Sequence, residues 1–222
     1  MAGVIVTGGF GALGAATAAT FRDRGWSVAL VDAAKAPDNV AAPAFGGVNL
    51  VDPDQAAAAF RAAAEALGSV DALVNVAGSF RFALQAESGP DAWRAMFEIN
   101  LLTCANMCHV AARGLADGGA IVNIGAAGAE RAGAGFGPYA ASKAGVARLT
   151  ESLAAELAGR VRVNAVLPLT LDTPQNRRDM PKVDPAGWTA PSAVADVIHF
   201  LATDAARAIN GALVPVTAAS RR

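Results

Sequence analysis

Short apolar runs alternate with longer amphipathic or alanine-rich stretches along the whole chain. Val4-Ile5-Val6 is an unbroken β-branched run, the pattern of a strand buried on both faces of a parallel sheet. A glycine turn follows at once, and a helical segment continues to about residue 24. Residues 27–31 read as a second strand. The link 33–44 holds Pro37 and Pro43 and is too short for a full crossover helix, so 45–50 reads as a third strand. Asp52-Pro53 opens a helix that runs to about Leu67, with the aspartate as N-cap and the proline in the first turn. Strands follow at 71–76, 120–124, 161–167 and 212–216. Helices are expected at 91–116, from Pro138 onward, and at 191–203, with a loop at 79–90. Residues 168–188 carry four prolines and read as one long irregular segment. The alternation predicts an α/β fold: one domain of about seven parallel strands with helices on both faces.

Composition narrows the class. Hydrophobic residues make up 54% of the 222 positions and charged residues 17%, which implies a large buried core. The formal net charge of −1 gives no electrostatic footprint for nucleic acid or an anionic membrane, and Arg221-Arg222 is too short to change that. Cys104 and Cys108 lie one helical turn apart beside His109, but no third and fourth ligand is apparent, so no metal is expected and helix packing is the better account. No disulfide framework, signal peptide or long apolar segment is evident, and a cytoplasmic location is expected.

Candidate chemistry gathers at the strand ends. Thr7-Gly8-Gly9-Phe10-Gly11-Ala12-Leu13-Gly14 joins a strand to a helix, the context in which a glycine turn cradles the pyrophosphate of a dinucleotide. Glycines also serve plain tight turns. Asp32 ends the second strand 18 residues beyond Gly14, near the spacing of a carboxylate that binds adenosine ribose hydroxyls. With Ala33 next and no basic residue in the turn, it favours NADH over NADPH; the alternative is an aspartate capping a turn. Asn75-Val-Ala-Gly78 ends the fourth strand, and Phe80, Arg81 and Phe82 follow on the loop. Tyr139, the one tyrosine, and Lys143 share a helix face. A lysine there is expected to lower the phenol pKa and make the pair a proton donor, although a packed tyrosine beside a solvated lysine is also ordinary.

Taken together, Thr7 to Gly14, Asp32, Asn75-Val-Ala-Gly78, Asn100 and Tyr139 with Lys143 make the chain resemble the short-chain dehydrogenase/reductase superfamily over nearly its whole length. The resemblance implies a single Rossmann-type doubly wound domain over 1–222 and a nicotinamide-dependent oxidoreductase. Tyr139 would exchange the proton, Lys143 would hold the nicotinamide ribose, and Asn100 would order a relay water. Cofactor contacts are expected from Thr7, Gly8, Gly9, Phe10, Gly11, Ala12, Leu13, Gly14, Asp32, Asn49, Asn75, Ala77, Gly78, Tyr139, Lys143, Pro168 and Thr170. Substrate contacts are expected from Phe80, Ala126, Thr173, Met180 and Trp188. A homodimer or homotetramer through the helices beginning at Asp91 and Pro138 is also implied.

Two positions depart from the superfamily pattern. Ala12 stands where glycine is usual, and Ala126 stands 13 residues before Tyr139, where a serine is expected to hold a substrate carbonyl oxygen. Ser142, beside Lys143 but on another helix face from Tyr139, is a poor substitute. The segment 166–181, continuing to Trp188-Thr189, is similar to the dihydropteridine reductases, as are the turn and the shortened 33–44 link. That family also lacks the serine and reduces quinonoid dihydropterins with NADH. The leading expectation is therefore an NADH-dependent reductase of a quinonoid dihydropterin or related conjugated imine-like ring. A carbonyl reductase or alcohol dehydrogenase is the alternative. A non-catalytic dinucleotide sensor fits less well, because it would not need Tyr139 and Lys143. Residues 168–188 are expected to form a lid, with Thr170, Thr173 and Asn176 hydrogen-bonding beneath it and Met180 and Trp188 as cover.

Overall fold

The computed structural model describes residues 1–217, so the last five positions of the expected domain, including Arg221-Arg222, lie outside the described residues. The continuous apolar runs become strands buried at nearly every position: β1 (Gly3–Thr7), β2 (Ser27–Val31), β4 (Ala72–Asn75), β5 (Ala120–Ile124) and β6 (Arg162–Pro168). Two further strands, β3 (Ala44–Phe45) and β7 (Leu213–Val216), close the edges. All pair in parallel in the order β3-β2-β1-β4-β5-β6-β7.

Strand alternation sends successive side chains to opposite faces. Val4 and Val6 meet Leu13 and Phe21 of α1 (Ala12–Asp23) and Val194 and Ile198 of α7 (Pro191–Ala202). Ile5 and Leu73 meet the other layer: α2 (Pro53–Leu67), α4 (Thr103–Gly114) and α5 (Gly137–Glu156). The expected single α/β domain with seven parallel strands is present. Strand order reverses at β1, with β2 on one side and β4 on the other, and ligands of such sheets bind outside the carboxyl ends at that point.

Four boundaries differ from expectation, each for a local reason. The third strand stops at Phe45 because Gly47, at φ +72°, turns the chain, its N–H bonding the Ala34 carbonyl at 3.0 Å. The 79–90 loop already contains the start of α3 (Gln85–Phe97), which kinks at Gly89 (φ +57°). The long 91–116 helix is broken by a π turn at Glu98–Leu102 and ends at Gly114. The 168–188 segment holds a short helix, α6 (Pro174–Asp179), because the Thr173 hydroxyl caps it by accepting from Asn176 N at 3.1 Å. Among the described residues no helix is long and apolar enough to cross a membrane, and no group of three or more potential metal ligands occurs.

Candidate active site

The glycine turn lies over the carboxyl end of β1. Gly8 has φ +62°, and a Cβ there would come 2.8 Å from Ala77 N, so only glycine lets this turn settle against the end of β4. Thr7 Oγ1 accepts from that same Ala77 N–H at 3.2 Å. The N-terminus of α1 has no side-chain cap, which leaves its first N–H groups and the positive end of the helix dipole for an anion. Ala12, the expected departure, adopts no positive φ, and the turn accommodates it. Asp32 directly follows β2, with one carboxylate oxygen accepting from Phe10 N and the other from Ala34 N, both at 2.9 Å.

These features form one wall of a cleft of about 870 Å³. Gly8, Phe10, Gly11, Ala12, Leu13, Gly14, Asp32, Asn49, Ala77 and Gly78 line it together with Tyr139, Lys143, Phe80, Pro168, Thr170, Thr173 and Met180, which joins most of the expected cofactor and substrate positions in one space. The size suits a dinucleotide with a small partner. A turn open only to glycine and an uncapped helix terminus fit the diphosphate of such a cofactor.

Tyr139 and Lys143 sit on the first turns of α5, as their spacing requires. The Tyr139 ring packs edge-on against Phe80 with centroids 5.0 Å apart, and Phe80 lies 5.0 Å from Phe136. Lys143 is buried, its Nζ donating to the Ile124 carbonyl at 2.8 Å. A Cβ at Gly78 would come 2.7 Å from Asn100 Oδ1 and 3.3 Å from Lys143 Nζ, so glycine is needed where the chain passes both. The expected lowering of the phenol pKa is not found. Burial pushes the Tyr139 phenol up to about 12, and burial also brings Lys143 down to about 8 against a small opposing effect of Cys104. Desolvation disfavours the charged form of each group, and it decides both shifts.

Several expected contacts do not reach the cleft. Asn75 shares its strand face with Leu73, so its side chain points toward α4. There its Nδ2 donates to Asn123 Oδ1 at 2.9 Å and contacts Cys108 Sγ at 3.3 Å. Asn123 in turn bonds Thr150 at 2.9 Å, and the Cys104 thiol approaches it at 3.3 Å, so the cysteine pair belongs to this buried polar layer. Thr7 and Gly9 are likewise buried under the turn. Asn100 lies in the π turn, whose wider spacing commits its amide inward: Oδ1 accepts from Ser79 N at 2.8 Å and Nδ2 donates to Ser142 Oγ at 3.0 Å. Its neighbours Ile99 and Thr103 line the cleft instead. Ala126 is buried just behind Gly125, which does line it. Trp188 is buried outside the cleft because the 185–187 turn and the Thr189 N to Thr170 O bond (2.9 Å) fold that end of the segment away. Asn176 does line the cleft, and its Nδ2 donates to Leu171 O at 2.8 Å, which braces the base of the expected lid.

Sequence reasoning missed Phe136, Ile99, Thr103, Val48, Gln175 and Arg178 as cleft residues. Phe136 carried a usable signal, a lone aromatic in a glycine-rich stretch one turn before Tyr139. Ile99, Thr103, Gln175 and Arg178 depended on where the π turn and α6 begin, and Val48 on the early end of β3 at the Gly47 turn.

Residues 10–218 match the sequence profile of a family described as enoyl-(acyl carrier protein) reductase. The chain belongs to the short-chain dehydrogenase/reductase superfamily. It is 37% identical to a cis-4-hydroxycyclohexanecarboxylate dehydrogenase of Sinomonas cyclohexanicum, covering 96% of this chain and 93% of that one. It is 35% identical to a D-threitol dehydrogenase of Mycolicibacterium smegmatis, over 94% and 88% of the two chains. The ligand-free aldohexose dehydrogenase of Thermoplasma acidophilum superposes with a TM-score of 0.88 at 28% identity, over 96% of this chain and 91% of that chain. The protein is thus an oxidoreductase of a superfamily whose members use NAD(P).

Proposed function

We propose that this chain is an NADH-dependent reductase acting on a flat conjugated ring, a quinonoid dihydropterin or a related imine-like heterocycle. The observation that carries the reading is the surroundings of Tyr139. Phe80 and Phe136 form an aromatic wall, Ile124 at the end of β5 and Gly125 after it also line the cleft, and residue 126 has no hydroxyl to offer a substrate oxygen. Aromatic faces favour a planar partner, and reduction of a ring nitrogen creates no oxyanion for a serine to hold. NADH, when bound, supplies the hydride.

The chain supplies the proton and the positioning. A phenol held at about 12 stays protonated across the neutral range, the form a proton donor needs. Lys143, at about 8, remains largely charged at pH 7 and is the cation available to the nicotinamide ribose. Asp32 lines the cleft beside Phe10, Ala33 and Ala34, none of which carries a positive charge; a 2′-phosphate there meets a carboxylate, which favours NADH over NADPH. Assembly as a homodimer or homotetramer belongs to the same reading and is supported by the exposed Phe97 and Leu102 on one of the two helices expected to meet a partner, that beginning at Asp91. So does a cytoplasmic location, supported by two free buried cysteines.

A second reading, oxidoreduction of a simple ketone or alcohol, is favoured by the relatives, whose names specify hydroxy acids and polyols. One substrate panel separates the two: kcat/KM with NADH for a quinonoid dihydropterin and for several ketones, in the wild type and in Ala126→Ser. The first reading expects faster dihydropterin reduction by the wild type. In the variant it expects dihydropterin turnover unchanged or slower, with ketone reduction rising from a very low base. A wild-type enzyme that reduces simple ketones faster than dihydropterins overturns it in favour of the second.

A further inference from the structure

A helical serine often bonds its own i−3 or i−4 carbonyl, and Ser142 does so: its hydroxyl donates to the Tyr139 carbonyl at 2.7 Å. What is not routine is its other partner. Ser142 is fully buried, and its oxygen also accepts from Asn100 Nδ2, 42 residues away on the π turn, at 3.0 Å. Asn100 Oδ1 meanwhile accepts from Ser79 N at 2.8 Å. These three bonds form one string from the backbone beside Gly78, through the π turn, to the backbone of Tyr139.

The string joins two segments that both bear on the reacting end of the cleft. Ser79 precedes Phe80, whose ring packs on Tyr139, so the same bonds fix the tyrosine from its backbone side and the aromatic ring beside it from its loop. Among the described residues Asn100 has no other strong acceptor for Nδ2, since Met96 Sδ lies at 3.8 Å. Thioether sulfur is a weak acceptor, so losing the Ser142 oxygen leaves a buried amide donor poorly partnered. The local response is a shift of the π turn or of the first turn of α5.

We propose that Ser142 is a positioning residue, which holds the Tyr139 backbone and, through Asn100, the Phe80 loop in one fixed relation. This rests on the reading of Tyr139 as proton donor. Ser142 does not line the cleft, so its effect belongs in turnover and not in cofactor affinity. Small displacements of a reacting group commonly cost on the order of 10- to 100-fold in rate.

The test is Ser142→Ala, assayed as kcat per NADH-binding site, with Ser142→Cys as a near-isosteric weak hydrogen bonder should the alanine form not fold. The expected result is about a 10-fold or greater loss of kcat with the NADH Kd unchanged. The double variant Ser142→Ala with Asn100→Ala should be no slower than the slower single variant, because both break one string. Unchanged kcat per site, or losses that multiply in the double variant, overturns the proposal. Tyr139→Phe separates the layers. An inactive phenylalanine variant beside a fully active Ser142→Ala refutes only the positioning role, whereas an active Tyr139→Phe refutes the proton-donor reading beneath it.

Discussion

Gly14→Ala probes the cofactor cradle. A Cβ at Gly14 would fall on the Gly8 carbonyl oxygen and lie 2.8 Å from Gly9 Cα and 2.9 Å from Gly8 C. All three obstacles are backbone, so no side chain can swing aside. Relief requires α1 to draw back from the turn by about 1 Å, and close-packed interiors resist such moves at roughly 1–3 kcal/mol. The helix terminus and the turn that would separate are the two halves of the proposed diphosphate cradle, so the strain falls on cofactor binding. At 1.4 kcal/mol per tenfold, the NADH Kd should rise roughly 10- to 100-fold. Any part absorbed by the fold appears as a lowered Tm, about 2–4 °C per kcal/mol at this chain length. Fluorescence titration with NADH and a thermal melt measure both. Ala12→Gly, at a neighbouring position with no positive φ, is the control and should alter affinity little. A Gly14→Ala protein with wild-type Kd and Tm would refute the steric argument and the placement of the diphosphate.

Three further outcomes follow from the same structure. Tyr139→Phe should lower kcat by roughly 10²–10⁴ while leaving NADH affinity nearly intact, measured by steady-state rates beside fluorescence titration. NADH should bind at least about tenfold more tightly than NADPH, because a 2′-phosphate meets the Asp32 carboxylate; equal affinities would remove Asp32 from that role. His199 packs against Phe21 and Trp26, its buried Nε2 has no partner among the described residues, and burial, aided by Arg24 and opposed by Asp196, depresses its pKa below 6.5. Such a group contributes stability that is present above pH 6.5 and lost as pH falls through the lower folded value, so Tm should drop from pH 7 to 5 and His199→Phe should flatten that slope.

The parallel sheet was legible because buried parallel strands are written as unbroken apolar runs, and the glycine turn because Gly8 and Gly14 have no tolerable Cβ. Tyr139 and Lys143 were legible because helical spacing alone puts them on one face. Asn75 and Asn100 were not, because a buried polar residue near a strand or helix end looks the same whether it faces a ligand or braces the protein. For Asn75 the deciding fact was strand parity with Leu73, and for Asn100 it was a π turn that no residue pattern announced. The charge state of the pair was misread for a related reason: spacing reveals that Lys143 lies near Tyr139 but not that both are desolvated.

That last point bears on how the site works. If proximity ruled, Lys143 would hold the phenol partly ionised, and Tyr139 would be ready to take a proton from an alcohol. Burial rules instead: the phenol keeps its proton, and the ammonium is anchored on the Ile124 carbonyl. A tyrosine in that state is prepared to give a proton. Oxidation in the reverse sense must first overcome the desolvation of the phenolate, which a cation entering the cleft would offset. How readily Tyr139 gives or takes a proton therefore depends on the charge brought beside it, and the apolar rings of Phe80 and Phe136 bring none.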